Sequence, residues 1–337
     1  MRKFVVAFVI MLGVYFVLIR KAEVYSIAET LRQADWRFLI LAIVLELVWM
    51  CNAAVEIWAI YRGMGIDEKI QRLLVLSTAA NFVNVVMPSG GVGGSTLLIA
   101  EARRRGVSTG RVTVALAVYL FLEYVSFLGV LALALWALFR RSHLTTAEVT
   151  ASAIMVAIAG SIGTALYFGM RSPAFFGSLL AFWARLINKI SWFFLHKNYI
   201  SETNAHEFAH DADGGLSRLR HQPRGLILPG LLVLNGKILM LLIFSLMFAA
   251  FNVPFSPGTT IAGYAIGYLF SIVSITPAGM GFVEAFLPLT LTQLGISLSA
   301  ATLITLSYRG VTFWLPVFIG MLVFRWATGG AKVRAEI

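Results

Sequence analysis

Six ionisable residues lie inside long apolar stretches of this sequence, where a charged side chain needs a partner or a path to water. They are Glu46, Glu56, Glu123, Lys237, Glu284 and Arg309. The simplest chemistry is ion pairing, and we expect Glu284 to pair with Arg309. Lys237 is expected to pair with Glu123 or Glu46. The alternative is that Arg309 or Lys237 binds a phosphate group, assisted by backbone amides at a helix N-terminus.

Two segments share a pattern in which an apolar helix is interrupted by proline and closely spaced glycines. They read NFVNVVMPSGGVGGS over Asn81–Ser95 and FSIVSITPAGMGFVE over Phe270–Glu284. Proline removes a backbone donor and glycine lets the chain turn back, so each segment predicts two short helices around a break. The alternative is that these glycines only allow helices to pack closely.

The composition places these features in a membrane. Of 337 residues, 59% are apolar and 13% are charged; the mean hydropathy is +0.84 and the formal net charge is +11. Soluble globular domains average about 45–50% apolar and about 25% charged residues, so that class is excluded. The single cysteine, Cys51, excludes a disulfide framework. Basic residues between apolar runs indicate contact with lipid headgroups rather than nucleic acid.

The elements that must position the breaks and charges are membrane-spanning helices of about 20 apolar residues. Six runs are long enough: Phe4–Ile19, Phe38–Tyr61, Val112–Phe139, Ala151–Met170, Leu226–Phe251 and Ala300–Phe324. The shorter or interrupted runs are Leu73–Met87, Ile261–Thr276 and Val283–Leu294. We predict an all-α polytopic membrane protein with about six full spans and two broken, re-entrant helical hairpins related as an inverted repeat. Residues 1–337 form a single membrane domain.

The distribution of Lys and Arg predicts the orientation. We assume that the shorter or interrupted runs enter the membrane and return to the side from which they start. Most Lys and Arg residues then lie on the same side of the membrane as both termini. That face is then cytoplasmic, in an inner cell membrane crossed several times. Residues 171–225 are predicted to form a cytoplasmic connection that lies on the membrane surface as an amphipathic segment.

Broken helices in corresponding halves of a membrane protein point to a binding site between them, because irregular backbone in a bilayer must line a cavity or be buried in protein. Asn81 and Asn84 approach the first break along one helical face, and Tyr264 and Tyr268 approach the second. Our candidate site therefore combines both breaks with the buried charges. It comprises Asn81, Asn84, Pro88, Gly90, Gly91, Gly93, Glu123, Lys237, Pro277, Gly279, Gly281, Glu284 and Arg309.

The connection at 171–225 contains a literal H-E-x-x-H pattern, in which two histidines on one helix face can bind zinc. These histidines are His206 and His210, and the acidic Asp211 follows them. The sequence offers no clear third ligand and no substrate-binding strand. We expect no metal and no cofactor, and a zinc site at His206 and His210 is the alternative.

The breaks and the last span also carry a family resemblance. The residues concerned are Asn84, Pro88, the turn at Arg103–Gly106, the motif Pro277-x-Gly279-x-Gly281-x-x-Glu284, and Arg309. With these the chain resembles the flippase-like membrane-domain family that includes the membrane half of bacterial lysyl-phosphatidylglycerol synthase/flippase. The resemblance covers nearly the whole chain. It implies an α-helical bundle with re-entrant helices that moves lipids or lipid-linked molecules between leaflets.

Two departures from this family bear on function. Many relatives carry an acid–arginine pair in the fourth span, whereas Glu123 is followed here by Tyr124. No soluble aminoacyl-transferase domain follows Phe324, so we expect no lipid lysinylation and no enzyme. The leading hypothesis is translocation of a phospholipid or lipid-linked molecule through a cavity lined by the two broken helices.

Two other functions remain open at this stage. One is a small-solute or ion secondary transporter that uses the same broken helices. The other is a membrane metalloprotease that uses His206 and His210. The expected partners are membrane lipids, anionic or lipid-linked, and not nucleic acid, while self-association stays open.

Overall fold

The computed structural model describes residues 34–86, 93–140, 146–171, 212, 214–221, 223–274 and 276–333. These ranges are helical throughout apart from short turns, and they contain no β-strand. The main helices are α1 Trp36–Gly63, α2 Ile70–Val86, α3 Gly93–Arg104, α4 Thr109–Arg140, α5 Thr146–Arg171, α6 Ile227–Ala250, α7 Pro257–Val273, α8 Phe282–Gln293, α9 Leu298–Arg309 and α10 Leu315–Val333. The all-α prediction is confirmed. A π-helical turn, Gly310–Trp314, joins α9 to α10.

Five helical segments are long and apolar enough to cross a membrane. They are Trp36–Gly63, Thr109–Arg140, Thr146–Arg171, Arg224–Ala250 and Leu298–Phe324. Each coincides with a span predicted from the sequence. The sixth predicted span, Phe4–Ile19, lies outside the described residues, so the total of six stays a prediction.

The outward surface of α1 is apolar, as expected for a helix that faces lipid. Five of its large side chains are each 43–50% exposed: Ile40, Leu41, Val44, Leu47 and Val48. Contiguous exposed apolar surface of this kind is rare on soluble monomers. The opposite face of α1 is buried and carries the acidic residues Glu46 and Glu56.

Side-chain caps fix the starts of several helices. The Asp35 carboxylate accepts a hydrogen bond from the Arg37 amide at the start of α1. Ser256 and Ser297 cap α7 and α9 in the same way, and Pro257 occupies the first position of α7. Because these caps set where each helix begins, they also set which residues reach the middle of the bundle.

Helices α2 and α3 form the first hairpin. Their 17 and 12 residues extend about 25 and 18 Å, less than the roughly 30 Å of a bilayer core. Arg72 near the start of α2 lies 3.7 Å from Glu101 near the end of α3, and Glu68 pairs with Arg105 beside them. The two ends of the hairpin therefore meet, and the chain returns to the side from which it started.

Helices α7 and α8 form the second hairpin, also of 17 and 12 residues. They pack antiparallel through small residues. A Cβ atom at Gly263 would lie 2.9 Å from the Leu291 side chain, and one at Gly267 would lie 3.1 Å from Leu287. Glycine at these two positions lets the helix axes come close together.

The first half, α1–α4, and the second half, α6–α10, contain the same order of elements. Each has a long helix, a 17-residue helix, a 12-residue helix and another long helix, which in the second half is α9 continued by α10. The leading helices of the halves, α1 and α6, are antiparallel. The Asp35 amide donates to the Ala250 carbonyl at 2.9 Å, and the Asn235 side chain donates to the Asn52 side chain at 2.9 Å. The second half thus runs opposite to the first, as an inverted repeat requires.

Each hairpin packs against the last long helix of the other half, here called its closing helix. The closing helix is α4 in the first half and the continuous segment α9–α10 in the second. Helix α2 packs on α10, where a Cβ atom at Gly320 would lie 2.7 Å from the Thr78 carbonyl oxygen. Helix α7 packs on α4, where the ring centroids of Phe127 and Tyr268 lie 4.5 Å apart. Helix α2 also contacts the turn at the second break, Pro277–Gly279. The first hairpin and the tip of the second are therefore neighbours.

Little of the predicted amphipathic connection is described, and its apolar stripe lies outside the described residues. Residues 214–221 are helical, and Ala212 and Leu216 are buried against the end of α1 and the start of α4. This part of the connection packs on the helix bundle.

Candidate functional site

The backbone at the second break adopts conformations that favour glycine. In the turn Pro277–Gly279, Gly279 has a φ of 72° and Ala278 a φ of 49°, and Gly281 follows with a φ of 84°. A Cβ atom at Gly279 would lie 2.6 Å from the Cα of Ser271, so the backbones approach too closely for any other residue. The left-handed Ala278 costs about 1–2 kcal/mol, which indicates that other contacts hold this tip in place.

Arg309 supplies contacts to the tip from the last long helix. Its Nε donates to Glu284 Oε1 at 2.8 Å, and its Nη2 donates to the Ala278 carbonyl oxygen at 3.2 Å. The guanidinium carbon lies 4.1 Å from the centre of the Phe313 ring, and Arg309 is 7% exposed. The predicted pair of Glu284 and Arg309 is thus present, and it anchors the hairpin tip to the helix that closes the fold.

Glu284 also caps the helix that follows the break. Its Oε2 accepts a hydrogen bond from the Gly281 amide at 2.8 Å, at the N-terminus of α8. One carboxylate therefore joins the break, the return helix and Arg309. The π-helical turn Gly310–Trp314 begins directly after Arg309, and such turns are frequent at functional sites.

The first break is closed by Asn84. Its side-chain oxygen accepts a hydrogen bond from the Gly94 amide at 2.6 Å, which ties α2 to the first turn of α3. A Cβ atom at Gly94 would lie 2.7 Å from the Ala80 carbonyl oxygen, so the two helices touch through glycine here. Gly93 is buried as the first residue of α3, and Asn81 is half-buried on α2. The predicted site residues Pro88, Gly90 and Gly91 lie outside the described residues.

A second group of buried charges lies between α1, α4 and α6. Lys237 on α6 forms an ion pair with Glu123 on α4. The Tyr268 hydroxyl, from the second hairpin, lies 3.3 Å from the Lys237 ammonium and 3.4 Å from the Glu123 carboxylate. Glu56 on α1 is 1% exposed and within electrostatic reach of both charges. We call Glu56, Glu123 and Lys237 the charge cluster.

Of the two partners expected for Lys237, the structure selects Glu123. Glu46 is fully buried elsewhere on α1, and among the described residues neither of its carboxylate oxygens has a hydrogen-bond partner. The difference follows from helix packing, because Lys237 lies opposite α4 at the level of Glu123.

Three features of the site were not assigned from the sequence. The Ala278 carbonyl is a backbone acceptor, which no residue type reveals. Glu56 was recognised as a charge in an apolar run, but its approach to Glu123 depends on how α1 packs on α4. Tyr268 was placed on a polar face without a partner, and its spacing of four from Tyr264 was the available signal.

An apolar groove opens beside the second break. It has a volume of about 380 Å³ and lies between the first turns of α5 and the residues that flank the break, among them Phe270, Val273, Ser274 and Phe282. Phe282 is 39% exposed and continues the apolar surface outward. The groove therefore places apolar surface next to the polar tip of the hairpin.

Among the residues that the structure describes, no group of three or more His, Cys, Asp or Glu side chains could hold a metal ion. His206 and His210 lie outside the described residues, so the pattern itself stays untested.

Comparison with known families identifies the chain. The sequence profile described as the lysylphosphatidylglycerol synthase TM region matches residues 4–320. The chain belongs to this family. The match includes both hairpins, the charge cluster and Arg309, and it concerns the membrane region of the synthase. No curated protein matches the chain. Membership in the lysylphosphatidylglycerol synthase TM family, together with the five apolar helices, makes it a multi-pass membrane protein connected with lipid-related processes.

Proposed function

We propose that this protein translocates a phospholipid or a lipid-linked molecule between the two leaflets of the inner cell membrane. The headgroup passes between the two broken hairpins, and the protein acts as a transporter and not as an enzyme. Its partners are membrane lipids with an anionic or phosphate-linked headgroup. Both termini lie on the cytoplasmic side, in keeping with the distribution of Lys and Arg.

The observation that carries this proposal is the position of Arg309 at the tip of the second hairpin. A guanidinium has five N–H donors in a planar fork that suits phosphate. Glu284 and Ala278 each take one of these bonds. The remaining donors of the guanidinium form a setting in which a phosphate can replace part of its hydration shell.

The arrangement of the two hairpins suits alternating access. The first hairpin contacts the turn Pro277–Gly279 of the second, and each hairpin is covered by the closing helix of the other half. Inverted repeats of this kind can open alternately to either side when one unit rocks against the other.

The apolar groove beside the second break suits the hydrocarbon part of the substrate. Phe270 and Phe282 line it next to the residues that hold the polar tip. An acyl or isoprenoid chain can remain in this apolar environment while the headgroup crosses along the hairpins.

The proposal is tested by leaflet transfer in reconstituted vesicles. Purified protein is incorporated into vesicles that contain a fluorescent phosphatidylglycerol, and a membrane-impermeant reductant quenches the outer leaflet. Transfer predicts that more than the outer-leaflet fraction of the fluorescent lipid is quenched with wild-type protein, but not with protein-free vesicles or a Gly279→Val variant. Quenching equal to that of protein-free vesicles for anionic, zwitterionic and isoprenoid-linked fluorescent lipids contradicts the proposal. Uptake of a soluble anion without lipid transfer would favour the small-solute transporter.

A further inference from the structure

The charge cluster of Glu56, Glu123 and Lys237 holds two acids and one base away from water. The side chains of Lys237 and Glu123 are 6% and 14% exposed, and Glu56 as a residue is 1% exposed. Lys237 pairs directly with Glu123. The Glu56 Oε1 atom has no hydrogen-bond partner among the described residues. A single ammonium thus serves two carboxyl groups.

We propose that Glu123 takes up a proton when an anionic lipid headgroup engages Lys237, so that the charge cluster couples lipid movement to proton movement. This inference rests on the proposed function, because it takes the lipid phosphate as the anion. It adds an energy-coupling site to a path that the tip of the second hairpin alone would leave passive.

The first step of the argument is the charge balance of the resting cluster. With Lys237 paired to Glu123, a second carboxylate at Glu56 would be a buried charge without a counterion, which is costly in a low-dielectric interior. Glu56 is therefore protonated at rest, and the cluster as a whole is neutral.

The second step concerns what an arriving anion does. A phosphate that pairs with Lys237 removes the counterion of Glu123 and leaves that carboxylate buried with the anion nearby. The unfavourable charge is removed when the Glu123 carboxylate binds a proton from water and becomes a carboxylic acid. No other bond forms or breaks, and the proton returns to water when the anion leaves and Lys237 pairs with Glu123 again. Ligand binding that changes proton affinity in this way is ordinary linkage.

The other titratable groups around the cluster are tyrosines. Those whose hydroxyls lie within electrostatic reach of Glu56, Glu123 or Lys237 on the described helices are Tyr119, Tyr124, Tyr264, Tyr268 and Tyr308. They supply hydroxyl groups but no permanent charge at neutral pH. They therefore do not replace Lys237 as a counterion, and the proton taken up binds to the Glu123 carboxylate.

The position of Tyr268 connects the cluster to the path. Its hydroxyl contacts both members of the Lys237–Glu123 pair, and it belongs to α7, the first helix of the second hairpin. A movement of that hairpin changes the contacts of the ion pair directly. Proton uptake at the cluster and rearrangement of the hairpin are thereby linked through one side chain.

The test measures protons directly and needs no transport. Short-chain dihexanoyl phosphatidylglycerol is added to purified protein in weakly buffered detergent solution, and a dye reports pH. We expect the wild-type protein to take up as much as one proton per bound lipid, and the zwitterionic phosphatidylcholine analogue to cause no uptake. Glu123→Gln should abolish uptake, whereas Glu101→Gln, which removes a carboxylate from the base of the first hairpin, should not.

Infrared difference spectra of the wild-type protein give a second readout without any variant, since a protonated carboxyl group should appear when the lipid is added. Saturable lipid binding with neither a pH change nor a carboxyl band would overturn the inference. Uptake that depends on sodium instead of protons would overturn it as well. Leaflet transfer without proton uptake would contradict only this inference, whereas proton uptake without leaflet transfer would contradict the proposed function and leave the coupling site standing.

Discussion

The guanidinium of Arg309 donates a hydrogen bond to the carboxylate of Glu284 at 2.8 Å, and this contact joins the last long helix to the tip of a broken hairpin. The same carboxylate accepts from the Gly281 amide, and the same guanidinium donates to the Ala278 carbonyl oxygen. A charged pair at this place holds a strained turn in position. The pair also places the positive charge of Arg309 beside the break in the second hairpin, where the backbone is irregular.

The pair should behave as a structural unit when folding is measured. Glu284→Gln or Arg309→Gln alone leaves one buried charge without its partner, and breaking a buried pair typically costs 3–5 kcal/mol. The double variant removes both charges, and the glutamine at 284 can still cap α8. We expect the melting temperature and the expression level to fall in each single variant and to recover in the double variant. Thermal unfolding in detergent, followed by tryptophan fluorescence, measures this. A double variant no more stable than the singles would show that the charges do not act as a pair.

The glycines of the second break should differ in their tolerance of a side chain. Gly279→Ala places a Cβ against the backbone of Ser271, whereas Gly281→Ala and Gly295→Ala meet open space and carry only the strain of a positive φ. We expect Gly281→Ala and Gly295→Ala to cost about 1–2 kcal/mol each and Gly279→Ala to cost more.

The same thermal unfolding assay ranks these variants, and leaflet transfer separates them further. Gly295 lies between α8 and α9, away from the break, so Gly295→Ala is the matched control for φ strain alone. We expect it to keep transport, and Gly279→Ala to lose transport. Equal stability and equal activity in Gly279→Ala and Gly295→Ala would mean that close approach at the break is not required.

Much of this architecture could be predicted from the sequence. Length and apolar composition predict helices α1, α4, α5 and α6, because a spanning helix leaves a long and simple signal. The Pro–Gly pattern predicts both breaks. Glu284 and Arg309 could be paired because each is the nearest opposite charge at similar depth.

The sequence could not decide contacts that depend on how helices cross. Lys237 had two acidic candidates, and only the packing of α6 against α4 selects Glu123. The Ala278 carbonyl enters the site because a turn exposes a backbone acceptor, which no side chain reveals. The exchange of packing partners between the halves, α2 on α10 and α7 on α4, is a long-range property that local patterns do not contain.

Lys237 should influence which lipids are moved. Lys237→Gln removes the cation of the charge cluster, and we expect transport of anionic lipids to fall more than that of zwitterionic ones. Because the single variant leaves Glu123 unpaired, Glu123→Gln with Lys237→Gln serves as the folded comparison. Leaflet transfer of phosphatidylglycerol and phosphatidylcholine in parallel measures the ratio. An unchanged ratio in the double variant would remove Lys237 from the path.

The orientation of the bundle can be tested by labelling. In a Cys51→Ala background, a cysteine at Val253, in the turn between α6 and α7, should react with a membrane-impermeant maleimide from outside intact cells. A cysteine at Ser108, between α3 and α4, should react only after permeabilisation, and reporters at residues 1 and 337 should both be cytoplasmic. Labelling of Ser108→Cys in intact cells, or an external reporter signal from either terminus, would reverse the proposed orientation.

The central claim is that Arg309 binds the lipid phosphate in transit as well as pairing with Glu284. Leaflet transfer by the stable double variant, Glu284→Gln with Arg309→Gln, tests it most directly. If Arg309 binds the phosphate, the variant folds and inserts normally but transfers no more lipid than protein-free vesicles, because no cation remains at the hairpin tip. If the double variant transfers lipid at the wild-type rate, Arg309 is a structural residue and the claim is contradicted.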